Sequence, residues 1–312
     1  MNPKHVKLIA ILLGIAVLLY LPRLLSDTEG RGSLEVDDGF AVPLSGTVTR
    51  VDIVLLADGD TIRLERGPEE WTVDGLRIDM SKIETLLPVL TDLSSSILVA
   101  RNPENHDDLG VSETTGRRID IYTGEDDPAS FHLGNRDLGA GGYFVRMGGA
   151  DEVFRLGGSA GGYLSRDRDG WRQRVIARVD TAAVRDLVIR REDGEVVVQR
   201  GDDGWVADGA PADSAAVHGM LGLLPSLSVT SFPTDDEAAA ADFSTPDAEL
   251  DVFAEAGGDV TGRELALGLR FLQDEEAGDW LVQLVDGEEV YRLAAFTVRR
   301  LLPERDALLP QE

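Results

Sequence analysis

"RGPEEWTVDG" at residues 66–75 returns as "RGDDGWVADG" at residues 200–209. The two tryptophans in these stretches, Trp71 and Trp205, are 134 positions apart. Alternating apolar residues precede each stretch, which is typical of the strands of a hairpin. We therefore expect each tryptophan to lie at the end of a hairpin, where a large aromatic side chain most often packs between a sheet and a helix.

The same spacing continues beyond the tryptophans. It relates Asp79 to Asp213, and the "HLG" at 132–134 to the "ALG" at 266–268. Three more inserted residues bring the ends of the two copies into alignment, and both ends carry Leu-x-x-x-Arg-Asp. The residues of this closing motif are Leu164, Arg168, Asp169, Leu301, Arg305 and Asp306. Similarity at a fixed period over this length predicts two tandem copies of one structural unit.

Each copy combines strands with a helix. Asp79 and Asp213 precede apolar residues at helical spacing, so each is expected to cap a helix. In the first copy, further strands are expected near residues 96–101, 118–123, 129–133, 142–147 and 152–156. The pattern therefore predicts an α+β fold with two duplicated β-rich modules, at residues 46–172 and 173–312.

The amino terminus carries an apolar run, "LIAILLGIAVLLYL" at 8–21. The flanking Lys7 and Arg23, with the next two leucines, bring its length close to that needed to cross a bilayer. A cleaved signal peptide has an apolar region of similar length, but no small-residue cleavage site follows this one. We therefore expect an N-terminal transmembrane helix, an uncleaved signal anchor at 1–26, followed by a linker at 27–45. Because the positive residues lie mainly before the run, the modules should lie outside the cytoplasm, in the periplasm.

Composition limits the classes of partner. The chain has 312 residues and a formal net charge of -27, which disfavours binding to nucleic acid. It contains no cysteine, so it forms neither a disulfide nor a thiolate metal site. Asp167, Asp169 and Gly170 match part of a calcium loop, but Ser165 and Ile176 stand where its first and twelfth residues must be acidic. These patterns predict no metal and no cofactor.

One stretch matches an enzyme motif. "GGSAG" at 157–161 fits the G-x-S-x-G pattern of a serine nucleophile between a strand and a helix. The second copy has Phe296 in place of Ser159, so the shared architecture forms without a serine. Such an enzyme places its histidine after the serine, which leaves only His218, in the other module. We interpret the stretch as a turn and Ser159 as a weak catalytic candidate.

With these motifs in place, the chain resembles the domain of unknown function 4340 family. The resemblance rests on the anchor, the W-x-x-D-G hairpin ends, the "DLGV" at 108–111, the "YFVR" at 143–146 and the closing Arg-Asp. Such proteins are often encoded beside ABC transporters that resemble those of bacterial gliding motility. The resemblance implies an accessory extracytoplasmic subunit whose partners are integral membrane proteins, such as a permease and an ATPase. It implies no catalytic residues.

These observations lead to one principal hypothesis and two alternatives. We expect a non-enzymatic protein, anchored in the inner membrane, that binds or scaffolds partners in an ABC-transporter-like envelope assembly. One alternative is a protein that binds cell-envelope glycans. The other is a serine hydrolase that uses Ser159.

Overall fold

The computed structural model describes residues 39–91, 93, 96–124, 127–256, 262–274 and 277–309. This part of the chain is mostly β-sheet with short helices between strands, so the predicted α+β class is confirmed. The predicted anchor at 1–26 lies outside the described residues. Among the residues that are described, no helix is both long enough and apolar enough to cross a membrane.

A nine-stranded sheet forms from the first half of the chain. Its strands are β1 (Arg50–Leu55), β2 (Thr61–Arg66), β3 (Trp71–Val73), β4 (Leu76–Arg77), β5 (Ser96–Ala100), β6 (Arg117–Tyr122), β7 (Ala129–Arg136), β8 (Tyr143–Met147) and β9 (Val153–Leu156). Their order across the sheet is β4-β3-β2-β1-β6-β7-β8-β9-β5, so β5 is an edge strand. The five strands predicted between residues 96 and 156 are all present.

An eight-stranded antiparallel sheet forms from the second half. The remaining strands are β10 (Val175–Ala177), β11 (Val184–Arg191), β12 (Gly194–Gly201), β13 (Gly204–Ala207), β14 (Ala210–Pro211), β15 (Leu227–Ser228), β16 (Ala248–Glu255), β17 (Arg263–Asp274), β18 (Asp279–Leu284) and β19 (Val290–Leu293). The sheet order is β14-β13-β12-β11-β16-β17-β18-β19, and β10 pairs separately with β15.

The helices of the described chain are short. They are α1 (Met80–Thr91), α2 (His106–Leu109), α3 (Ala160–Leu164), α4 (Ser214–Leu221), α5 (Asp235–Ala240), α6 (Ala295–Leu301) and α7 (Arg305–Leu308). The helices predicted after Asp79 and Asp213 are present as α1 and α4. Pro88 lies inside α1. In both copies a short helix, α3 or α6, follows the strand at the end of the sequence alignment.

Strand pairing repeats between the two halves. Leu64 pairs with Val73 in the first hairpin, and Val198 pairs with Ala207 in the second, 134 positions later. The last two strands of the alignment also match. β8 pairs with β9 in the same register as β18 with β19, now 137 positions later. The repeat in sequence is therefore also a repeat in hydrogen-bonding pattern.

The structure corrects one part of the sequence alignment. Leu133 of "HLG" pairs with Val145, and Phe271 pairs with the equivalent Val282. Leu133 therefore corresponds to Phe271 and not to Leu267 of "ALG". Strand β17 has 12 residues, whereas β7 has 8. The sequence of the shorter strand can therefore be aligned with the longer one in more than one register.

Each half has its own apolar core. In the first, Phe40 contacts Phe131 edge to face, with ring centroids 5.4 Å apart, and Phe154 lies 6.0 Å from Phe40. In the second, apolar residues of the sheet pack with those of α4, α6 and α7. This core includes Leu187, Leu250, Leu269, Phe271, Val282, Leu293, Val217, Met220, Val298, Leu301 and Leu308.

The chain divides into two compact units. The first contains the described residues up to 48, with 53–61 and 86–165. The second contains 49–52, 62–85 and the described residues from 166 onward. The second unit therefore includes residues 62–85 from the first sequence repeat.

Candidate functional site

The recurring W-x-x-D-G motif forms a turn. Asp74 and Gly75 have φ of 50° and 81°, and Asp208 and Gly209 have φ of 48° and 85°. Two successive residues with positive φ define the type I′ turn, whose twist suits a two-residue hairpin. Glycine adopts this conformation at little cost, and aspartate adopts it more readily than most residues.

The two aspartate side chains support these turns. The carboxylate of Asp74 accepts a hydrogen bond from the backbone N–H of Arg63 at 2.8 Å. Asp208 accepts the equivalent bond from Val197 at 3.0 Å. These contacts give the Asp-Gly pair a structural role in both copies.

The two tryptophans differ in burial. Trp71 is 6% exposed, as expected for a core residue. Trp205 is only half-buried, although it packs against the second core. The Arg200 guanidinium lies 5.0 Å from the centroid of the Trp205 ring, in a cation–π contact.

Asp79 and Asp213 lie at helix starts. Asp213 accepts a hydrogen bond from the backbone N–H of Ala216 at 2.8 Å and so caps α4. Asp79 accepts hydrogen bonds from the backbone and hydroxyl of Ser81, and Lys82 lies 3.3 Å away. Burial acts to raise the pKa of Asp79, but the Ser81 hydrogen bonds and the Lys82 charge together hold it below its ordinary value.

In the first copy, the closing Arg-Asp motif forms ion pairs. Arg168 donates two hydrogen bonds to Asp235, at 2.9 and 2.8 Å. Asp169 lies 3.6 Å from the guanidinium of Arg172. Arg172 is itself buried, lies 3.7 Å from the Phe232 ring centroid, and pairs with Glu289 at 3.2 Å. All of these residues belong to the second unit.

In the second copy, the motif binds the hairpin. Arg305 lies 3.2 Å from the carboxylate of Asp208 and donates to the backbone carbonyl of Glu195 at 2.6 Å. Asp306 lies in the first turn of α7, where the helix dipole favours a negative charge. The two copies thus use the same dipeptide for different contacts.

Ser159 is exposed and precedes α3. Its hydroxyl does not cap that helix. In the same unit, His106 contacts the backbone carbonyl of Asp151 at 3.0 Å, and His132 contacts Glu113. Among the described residues, no histidine or carboxylate is within hydrogen-bond contact of the Ser159 hydroxyl. The contacts of a catalytic triad are therefore not formed in this part of the chain.

The structure brings together a row of basic side chains that sequence reasoning missed. Arg118 pairs with His132 across β6 and β7, and His132 pairs with Arg146 across β7 and β8. Residues that pair directly point to the same face of a sheet. Each basic residue has a buried apolar neighbour in its own strand, namely Ile119, Phe131 or Val145. Successive side chains of a strand point to opposite faces, so the basic row lies on the face opposite the core.

The loop before β6 covers His132 and Arg146, whereas Arg118 is exposed. Arg146 is buried and donates to the backbone carbonyl of Val111 at 2.7 Å and to Glu113 at 2.7 Å. The hydrogen bond from Arg146 lowers the pKa of the Glu113 carboxyl. Burial lowers the pKa of His132, and the Arg146 charge acts in the same direction. Strand alternation could have placed these residues on one face, but only the tertiary contacts bury His132 and Arg146.

The second copy has different side chains at this row. The corresponding strand pairs are Glu249 with Arg270, and Arg270 with Gln283. A glutamate and a glutamine thus replace two arginines. The basic row is specific to the first copy.

A cleft of about 610 Å³ opens in the second unit. Its lining includes Arg190, Arg191, Glu192, Asp247, Gln273 and Trp280, and we refer to it as the Trp280 cleft. In the described part of the chain, no group of three or more histidine, aspartate or glutamate side chains is placed to hold a metal ion.

Comparison with known proteins places the chain in a family. The model of one family, described as Domain of unknown function (DUF4340), matches residues 71–246, more than half of the chain. The match begins at the first tryptophan and extends well into the second copy. Searches of curated proteins and of solved structures found no match. The chain therefore belongs to the DUF4340 family.

Proposed function

We propose that this protein is a non-enzymatic, membrane-anchored binding or scaffold protein located outside the cytoplasm. In this proposal a transmembrane helix at the apolar run 8–21 precedes two modules that arose by duplication. The partner is an integral membrane assembly of the ABC-transporter type, to which the chain is an accessory subunit. The apolar run and the family resemblance support the location and the class of partner.

The edge strand β5 carries the binding part of the proposal. Its residues Ile97 and Val99 are 60% and 48% exposed, and Leu98 between them is partly buried. Among the described residues β5 pairs only with β9, so its outer edge offers free backbone donors and acceptors. Proteins commonly protect such edges with charges, and an exposed apolar edge is a site for strand addition.

The occupant we propose is an extended segment of the membrane partner. Alternating apolar side chains in that segment would contact Ile97 and Val99, while its backbone pairs with β5. The chain carries a net charge of -27, which favours a segment flanked by lysine or arginine.

Co-purification tests this proposal. The tagged full-length protein, isolated in mild detergent, should retain a permease and an ATPase, and removal of residues 1–26 should weaken that retention. Ile97→Lys with Val99→Lys should reduce recovery of both partners, because lysines on an edge oppose strand addition. Leu138→Lys is the matched control, since Leu138 is 90% exposed in the same unit but lies outside β5. Equal recovery with both variants would rule out docking at β5.

Chemical labelling tests the topology. The chain has no cysteine, so single cysteines can be introduced at the exposed positions 138 and 192. Both should react with an impermeant maleimide added from the periplasmic side. Protection of both positions in intact spheroplasts would contradict an extracytoplasmic location.

A further inference from the structure

We propose that the Trp280 cleft binds a neutral saccharide of about disaccharide size. Its volume of about 610 Å³ lies within the range of ~300–1,000 Å³ that is usual for small-molecule sites. The cleft belongs to the second unit and β5 to the first, so this proposal is independent of strand docking.

Trp280 supplies an aromatic platform. It is half-buried at the start of β18, and its ring meets Phe271 edge to face, with centroids 6.4 Å apart and planes at 81°. The core therefore holds the indole in place before any ligand binds. An aromatic ring fixed beside a cleft offers an apolar face for the C–H surface of a sugar ring.

Two side chains in the cleft are ready to bind a polar ligand. The backbone N–H of Gln273 donates to Asp247 at 2.7 Å, which fixes Gln273 beside its strand partner Trp280. The amide of Gln273 and the carboxylate of Glu192 are exposed. Neither side-chain group forms a hydrogen bond or ion pair with another described residue. Together they offer hydrogen-bond donors and acceptors.

Two arginines are fixed in position. Arg190 pairs with Asp251, Glu249 and Glu195, at 2.5, 3.3 and 2.9 Å. Arg191 donates to the backbone carbonyls at the end of α6. Their guanidinium groups therefore need little rearrangement when a ligand arrives, which lowers the entropic cost of binding.

The balance of charges favours an uncharged ligand. The cleft lining contains Arg190 and Arg191 together with the carboxylates of Glu192, Asp247 and Glu249. A phosphate would meet three carboxylates, and a metal cation would meet two arginines. A hydroxyl group both donates and accepts hydrogen bonds, so it suits a lining that offers both. A saccharide presents several hydroxyl groups and an apolar face together.

The first copy has a smaller cavity at the equivalent place. This cavity has a volume of about 330 Å³ and is lined by Ala57, Asp58 and Asn135. The sequence offset of 134 relates Ala57 and Asp58 to Arg191 and Glu192. The pairing of β7 and of β17 relates Asn135 to Gln273. The place of Arg190 is taken by Leu56, so both arginines are missing.

The equivalent of Trp280 is also engaged differently. It is Tyr143, whose hydroxyl accepts a hydrogen bond from Ser165 at 3.1 Å. A Cβ atom on Gly161 would lie 2.4 Å from the Tyr143 ring, so α3 packs directly against that ring. We therefore assign the saccharide site to the second copy.

Nuclear magnetic resonance of the indole N–H groups tests the assignment. The chain has four tryptophans, so single Trp→Phe variants can assign the signals. The full chain, in a detergent without a sugar headgroup, would be titrated with cellobiose, maltose and N,N′-diacetylchitobiose to about 10 mM. We expect at least one sugar to shift the Trp280 signal saturably and to leave the buried Trp71 signal unchanged.

Substitutions at exposed positions of the cleft separate an effect on binding from an effect on folding. Gln273→Ala and Glu192→Ala remove side chains without described partners, so both variants should fold. Each should weaken binding of that sugar by about tenfold, as expected for contacts at the centre of a site. Asp58→Ala, at the equivalent of Glu192 in the first copy, should leave the affinity unchanged.

Three results would overturn the proposal. The first is the absence of a Trp280 shift with all three sugars. The second is an unchanged affinity in both Gln273→Ala and Glu192→Ala. The third is a Trp280 shift with inorganic phosphate at lower concentration than with any sugar, which would indicate an anion site.

Discussion

The imidazole Nε2 of His132 lies 3.4 Å from the carboxylate of Glu113, yet burial and the neighbouring Arg146 favour the neutral imidazole. Arg118 also disfavours the charged ring, whereas Glu113 and Asp120 favour it. The lowered pKa of His132 is the net result. The folded chain therefore binds a proton at His132 less readily than the unfolded chain does.

This difference predicts loss of stability in mild acid. As the pH falls below the ordinary histidine pKa of 6.5, the unfolded state takes up more protons, so the free energy of unfolding decreases. Urea unfolding across a pH series measures this dependence. In this pH window, the free energy of unfolding of His132→Gln should change less steeply with pH than that of the unmodified chain. An unchanged slope in His132→Gln would contradict the assignment of this loss of stability to His132.

A second loss of stability should follow at lower pH. The pKa of Glu113 lies below its ordinary value of 4.5, so its contribution is lost as the pH falls through the lowered pKa. Glu113→Gln should reduce this second dependence when urea unfolding is measured below about pH 4.5. A curve identical to that of the unmodified chain would mean that the Arg146 contact contributes little.

Two glycine substitutions, one in the type I′ turn and one in α4, should have opposite effects on the free energy of unfolding. Gly209→Ala meets no atom within 4 Å, but its φ of 85° is strained for alanine. It should lower the free energy of unfolding by about 1–2 kcal/mol. Gly219→Ala, inside α4 and equally free of contacts, should raise it by about 0.5–1 kcal/mol. Thermal unfolding of the two variants measures the difference, and equal effects would contradict the turn assignment.

The tryptophans should differ in their contribution to stability. Trp71→Ala removes a buried ring and should cost about 3–5 kcal/mol. Trp205→Ala should cost less, because that ring is only partly buried and Arg200 covers part of it. Denaturant unfolding of the two variants tests the order. A larger loss for Trp205→Ala would show that the Arg200 contact outweighs burial.

Two neighbouring arginines should also differ. Arg168 binds the exposed Asp235, and an exposed pair contributes about 0–1 kcal/mol. Arg172 is buried beside Glu289, and its removal leaves a partly buried carboxylate without that partner. Arg172→Ala should therefore cost about 3 kcal/mol or more. Arg168→Ala is the matched control, and similar losses in denaturant unfolding would contradict this difference in burial.

The hydrolase alternative predicts covalent labelling. A serine activated as a nucleophile would react with a fluorophosphonate probe, and the reaction would be lost in Ser159→Ala. Because Ser159 has no described histidine or carboxylate partner, we expect no labelling. Labelling that disappears in Ser159→Ala would establish the hydrolase and displace the binding proposal.

The sequence by itself determined the α+β class, the repeated hairpins, the helices after Asp79 and Asp213, and the family. These features depend on local rules. Alternation of apolar residues predicts strands, aspartate before an apolar run predicts a helix start, and Asp-Gly suits a tight turn. Such signals act over a few residues and therefore appear in the linear pattern.

Only the tertiary structure decided which distant side chains meet. The pairing of Arg118, His132 and Arg146 depends on strand register, and the letter match of "HLG" with "ALG" gave the wrong register. Arg168 and Asp235 are 67 positions apart, and no local pattern relates them. The Trp280 cleft is likewise lined by residues of four strands, β11, β16, β17 and β18, and of the loops next to them. Contacts of this kind arise because folding brings remote segments to one surface, and a local sequence pattern does not specify which segments those are.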